Sequence, residues 1–131
     1  MDDDEYTSTD VELSSETLAA YRRFPQLCAY GLRHYRGSRE VEPNPIRSDE
    51  VATAMAFLRM FRPTKKGTFS SYWLKHEAER WGGRNGMRHY VSNGALLLAA
   101  LLLRLTVEPH RRPSPNAMIG LSKRDVRKFT G

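Results

Sequence analysis

Cysteine is almost missing from this chain. Cys28 is the only one among 131 residues, so no internal disulfide and no cysteine-rich metal site can form, which suits a reducing compartment and a role for Cys28 as core filler. Long apolar runs are missing too. The longest uninterrupted one, at 95–103, has nine residues, against the roughly 20 that span a bilayer, so no membrane partner is expected. The N-terminus lacks positive charge. Residues 1–16 hold seven acids and no Lys or Arg, the reverse of a secretory signal's basic start, and the reading is a cytoplasmic protein.

Catalytic signatures are also absent. His76-Glu77 opens like a zinc-protease helix, but Arg80 stands where the second histidine ligand belongs, and His34, His76, His89 and His110 are dispersed. Serines and histidines occur without a nucleophile elbow. The glycine-rich Gly82-Gly83-Arg84-Asn85-Gly86 lacks the Lys-Ser/Thr ending of a phosphate-binding loop and follows a helix rather than a strand, so it reads as a flexible connection. No catalytic residue, metal or cofactor is expected, and the chain is read as non-enzymatic.

What is present begins with residues 91–105. From 95 to 103 every residue is Ala or Leu, two strong helix formers, and Ser92 or Asn93 upstream can cap the helix's first free N–H groups. Apolar side chains cover its whole circumference, so this helix, at about 92–105, must be surrounded by protein.

Around it the pattern is mainly α. A helix starts at Ser14 or Ser15 with Glu16 in its first turn, and Pro25 breaks that region into two short helices. Ser38 to Arg47, with Pro43 and Pro45, reads as a loop. Ser48-Asp49-Glu50 caps and starts an amphipathic helix over 48–62 that carries Val51, Ala54, Met55, Leu58 and Phe61 on one face. A further helix over 70–81 holds Trp73 and Trp81 on one inner face, sets Lys75 four residues before Glu79 on the outside, and ends at Gly82-Gly83. Residues 105–108 and 117–121 have the composition of strands, and the turn-rich segment between them carries Arg111 and Arg112, giving a short β-hairpin near 105–121 with a basic tip. Ser122-Lys123-Arg124-Asp125 resembles a capping box opening a terminal helix in which Val126 and Phe129 face inward. The fold expected is a helical bundle, a single domain over 14–131, preceded by an acidic disordered tail at 1–13.

The order of helices 48–62, 70–81 and 92–105 followed by a hairpin has the layout of a winged helix-turn-helix domain. That layout carries a contradiction, because the third helix would read the major groove, yet 95–103 offers no polar side chain. Either the groove is entered only by Tyr90, Ser92 and Asn93, or contact is made elsewhere. The second alternative is preferred.

Net charge is +6, and its distribution says more than its sum: residues 17–131 hold all 21 Lys and Arg against eight acids, an excess of 13. Such a body attracts polyanions. Tyr72, Trp73, Lys75, His76, Arg80, Trp81, Arg84, Arg88 and Tyr90 mix aromatic and basic groups as single-strand binding would, although paired tryptophans more often serve a core.

Three segments, Ser71-Tyr72-Trp73-Leu74-Lys75-His76-Glu77-Ala78-Glu79, Tyr90-Val91-Ser92-Asn93-Gly94-Ala95-Leu96 and Pro115-Asn116-Ala117-Met118-Ile119-Gly120-Leu121-Ser122, resemble a pattern in small uncharacterised proteins of bacteria, their plasmids and phages. The resemblance covers about the C-terminal half. It implies a bacterial cytoplasmic protein or one of a mobile element, and carries no activity over.

The expectation is therefore a nucleic-acid-associated, DNA-binding or regulatory protein whose candidate contacts are Lys65, Lys66, Arg84, Arg88, Ser92, Asn93, Arg111, Arg112, Lys123 and Arg124. The alternative is a protein-interaction module that docks on a larger complex. Sequence does not fix the oligomeric state.

Overall fold

The computed structural model describes residues 14–32 and 45–130. The acidic tail and most of the 38–47 loop lie outside them. Among the described residues the helices are α1 (Ser15–Arg23), α2 (Ser48–Leu58), α3 (Ser71–Arg84), α4 (Asn93–Leu102) and α5 (Lys123–Thr130), and the strands are β1 (Phe69–Ser70), β2 (Val107–Pro109) and β3 (Ala117–Ile119). The fold is mainly α with a small antiparallel sheet of order β1-β3-β2. Its register sets Phe69 and Val107 on either side of Ile119.

The central helix is α4. Its first eight residues are all buried, with Ala95 through Ala100 showing no solvent exposure. Packing against α1, α2, α3 and β2 encloses it, and α2 is its chief neighbour. Each fully buried leucine contributes roughly 1.5–3 kcal/mol, so Leu96, Leu97 and Leu98 together form one of the larger stabilising blocks of the core.

Both ends of α4 are closed. Ser92 is the N-cap, its Oγ accepting the Ala95 N–H at 3.0 Å, while the Ser92 N–H donates to buried Glu50 at 2.9 Å. The turn at 28–31 docks here: the Gly94 N–H donates to the Ala29 carbonyl at 3.0 Å, and a Cβ on Gly94 would stand 1.8 Å from the Cys28 carbonyl oxygen. Gly31 holds φ +131° in the same turn, with the Pro115 carbonyl oxygen 2.1 Å from where its Cβ would be. At the other end Arg104 takes φ 62°, donating to Leu101 while Leu105 donates to Ala100, a Schellman closure with arginine in the usual glycine place.

Several local expectations shift. Region 14–32 holds one helix, and beyond Phe24 the chain makes turns and a Cys28–Gly31 bridge instead of a second helix. Ser48 is the first residue of α2, not its cap, which falls on Arg47. Gly82 and Gly83 lie inside α3, because Gly82 fits against the Arg88 carbonyl and Thr53, and the turn is made by Gly86 at φ +71°. Phe69–Ser70 pairs as a strand before α3 begins. Trp73 and Trp81 do not share a face, since eight residues rotate a helix about 80° past whole turns. Trp81 packs on Phe57 at 6.1 Å between ring centroids, whereas Trp73 is 38% exposed and stacked on Phe69. The capping box of α5 is half formed: Ser122 Oγ accepts the Asp125 N–H, but the Asp125 carboxylate turns to Arg62.

Truncating the centre of α4 should reveal how tightly it is enclosed. Leu97→Ala should lower the unfolding free energy by about 2–5 kcal/mol in urea titration, and Gly94→Ala, which pushes carbon into a backbone carbonyl, should cost as much or prevent folding. A Leu97→Ala loss under about 0.5 kcal/mol would show that the helix is not in a close-packed core.

Candidate nucleic-acid interface

The ten residues expected from sequence divide sharply. Seven cations, Lys65, Lys66, Arg84, Arg111, Arg112, Lys123 and Arg124, are exposed and have no carboxylate partner among the described residues. The other three are internal. Arg88 is half-buried against Asp49 and Glu50, each at 3.6 Å, in a cluster that Arg47 completes at 3.3 Å from Asp49. Ser92 is buried as the α4 cap, and Asn93, 6% exposed, donates through Nδ2 to the Tyr30 and Pro115 carbonyls, both at 3.1 Å, and to Asn116 Oδ1 at 2.9 Å. Arg88 and Ser92 do not stand on an open surface as expected, because closing the start of α4 requires their polar atoms, while Asn93, engaged in the same closure, keeps one side on a cleft beside the hairpin tip.

Backbone pairing decides which of the seven share a region. The loop at 62–67 and the segment 120–122 run side by side, with Thr64 N–H donating to Gly120 at 3.1 Å and Ser122 N–H to Arg62 at 2.8 Å. Thr106 Oγ1 reaches the Lys65 carbonyl at 3.0 Å. Lys65, Lys66, Lys123 and Arg124 therefore gather at the open end of the hairpin, and exposed Arg104, two residues before Thr106, stands on the α1 side of it beside Ala20 and Arg23. Two carboxylates nearby are committed: Glu108 accepts the Gly67 N–H, and Asp125 binds Arg62. Arg111 and Arg112 occupy the opposite end, the hairpin tip, and Arg84 stands apart at the end of α3. Sequence reading missed Arg104 because no glycine marks the end of the Ala/Leu run.

Beside the hairpin tip lies an open cleft of about 340 Å³ whose walls include Tyr30, Tyr72, Tyr90 and Pro115, with Lys75 and Asn93 beneath. Four segments distant in sequence build it: the 28–31 turn, the start of α3, the approach to α4 and the hairpin at 115–116. Lys75 and Glu79 pair at 2.9 Å, not on an exposed face but with 7% and 16% of their side chains accessible. The Lys75 ammonium sits 4.9 Å from the Tyr90 ring centroid and 5.7 Å from that of Tyr72, favourable cation–π positions. Of the mixed cluster read from sequence, Tyr72, Trp73 and Tyr90 face outward, whereas Lys75 is buried and Arg80 is paired with Glu77.

Burial acts to raise the Glu79 carboxyl, but hydrogen bonds from Lys75 and from the Val91 N–H, with the Lys75 charge and His76, outweigh it and hold the group below its ordinary value. The hydrogen bonds from Arg62 lower Asp125 likewise. No cluster of three His, Cys, Asp or Glu among the described residues could hold a metal ion, and no described helix is long and apolar enough to cross a membrane.

Comparison of the chain with protein-family models, with curated proteins and with solved structures finds no match.

A carboxyl lowered by folding contributes stability above its ordinary value near about 4.3 and loses it as pH falls through the lowered value. The urea midpoint should therefore drop as pH goes from about 5 to about 2. Glu79→Gln should cost about 1–3 kcal/mol at neutral pH and flatten this acid-side fall, and an unchanged acid profile would remove Glu79 from the account.

Proposed function

We propose that this protein is a non-enzymatic nucleic-acid-associated protein that holds its ligand mainly through phosphate contacts. One observation carries the reading: of the eight cations singled out from sequence, seven stand exposed without a carboxylate partner among the described residues. Unpaired surface cations on a body of this net charge favour polyanions by counterion release.

Element order supports a more specific arrangement. From α2 onward the chain runs helix, strand, helix, helix, hairpin with strand order β1-β3-β2, the layout of a winged helix-turn-helix domain. The element in the reading position is α4, whose enclosed surface suits no groove, so the hairpin and its flanking loops are the contacting parts in this proposal. Phosphate contact carries little sequence information, hence modest selectivity.

Arg104 adds a smaller support. A non-glycine residue in the left-handed region is disfavoured by roughly 1–2 kcal/mol, and an exposed cation kept there is consistent with use of its charge.

A second reading, a protein-interaction module, draws on half-exposed Tyr30, Tyr72, Trp73 and Tyr90, since tyrosine and tryptophan are enriched at interfaces.

Gel-shift titration over a salt series separates the two. Binding should weaken steeply with salt, and the Lys65→Ala/Lys66→Ala double variant should reduce the slope of log K against log salt by about 2. Arg104→Gly should weaken binding while raising stability by up to about 1 kcal/mol. Absence of binding at low salt would remove the proposal in favour of the second reading.

A further inference from the structure

The cleft beside the hairpin tip has three features together. Its walls are tyrosine rings that keep much of their surface open: Tyr30, Tyr72 and Tyr90 are 44%, 51% and 52% exposed. Its floor includes Asn93, more than nine-tenths buried, whose Oδ1 has no hydrogen-bond partner among the described residues although its Nδ2 has three acceptors. Its rim is Asn116, on the strand side of the tip that bears Arg111 and Arg112; among the described residues neither its side-chain amide nitrogen nor those two arginines have a partner.

Three ligand classes can be weighed on these facts. Tyrosine cages suit quaternary ammonium groups, but here the Lys75 ammonium already lies over the Tyr72 and Tyr90 rings and repels a second cation. A small free anion gains little, because Glu79 neutralises Lys75 at 2.9 Å. A flat, neutral ring with polar edges, joined to a phosphate chain, matches all the parts: rings to stack on, amides for its edge, and arginines alongside for the chain.

We infer that this cleft receives an unpaired base of a single-stranded nucleic acid, stacked on Tyr72 and Tyr90 with its edge toward Asn93 and Asn116. The assignment rests on the nucleic-acid reading above and narrows it to single strands. A duplex keeps its bases stacked inside and presents only phosphates to the arginines. Strand and duplex share the phosphate contacts, and the strand alone fills the cleft.

Fluorescence anisotropy at low salt tests this with three probes: a short fluorescein-labelled DNA strand of mixed sequence, its duplex, and the same strand with a central abasic run. The full chain should bind the intact strand about tenfold or more tighter than the abasic strand or the duplex. Tyr72→Ala and Tyr90→Ala should each weaken the intact strand about fivefold or more and leave the abasic strand unchanged, while Tyr72→Phe, which keeps the ring, should bind as the parent does. Arg111→Ala should weaken all three probes. Should an alanine variant fail to fold, as circular dichroism would show, the abasic comparison on the unaltered protein still decides. Equal, salt-dependent binding of intact and abasic strands would overturn the base cleft and leave the phosphate reading standing. No binding of any probe would overturn both.

Discussion

The constraint on which the structure depends is that α4 has no face that tolerates water. An Ala/Leu helix apolar all round must be walled in on every side, and α1, α2, α3 and the sheet are arranged to do so. Enclosure sets a second demand, because the unsatisfied polar groups at each end of a buried helix need partners. Ser92, Glu50 and the 28–31 turn meet it at the start, and the left-handed Arg104 meets it at the end. The close approach at Gly94 follows from the same demand.

Enclosure also determines where recognition is available. A helix swallowed by its neighbours cannot be read by a partner, so the proposed contacts are assigned to the loops and the hairpin around it. Charge follows the same division. Near the start of α4, Arg47 and Arg88 are balanced by Asp49 and Glu50, and Lys75 by Glu79, so these charges serve the closure. At both ends of the hairpin Lys65, Lys66, Lys123, Arg124, Arg111 and Arg112 have no such duty among the described residues, and it is there, with the tyrosine cleft alongside, that the proposed ligand is placed.

Much of this was legible in the sequence where a signal is local. The Ala/Leu run, the Ser92 cap, the amphipathic stretch after Ser48, the break at Pro25 and the hairpin with Arg111 and Arg112 at its tip all follow from neighbouring residues. What escaped depends on distant partners. Phe69–Ser70 is too short to alternate and becomes a strand only because Ile119 and Met118 are there to pair with it. Lys75 and Glu79 satisfy the rule for an exposed pair, yet the Val91 N–H and the Tyr90 ring, brought by the approach to α4, cover them. Asn93 has the chemistry of a base reader, and three groups from the 28–31 turn and the hairpin tip claim its amide. Tyr30 and Asn116 meet across a separation that no local pattern encodes.

Amide hydrogen exchange followed by NMR tests the central claim most directly. If α4 is enclosed as described, the amides of Leu96 through Ala100 should exchange only through global unfolding, with protection equal to the stability from urea titration and the slowest in the chain. Exchange of these amides well ahead of global unfolding, or slower exchange in α2 or α3 than in α4, would contradict it.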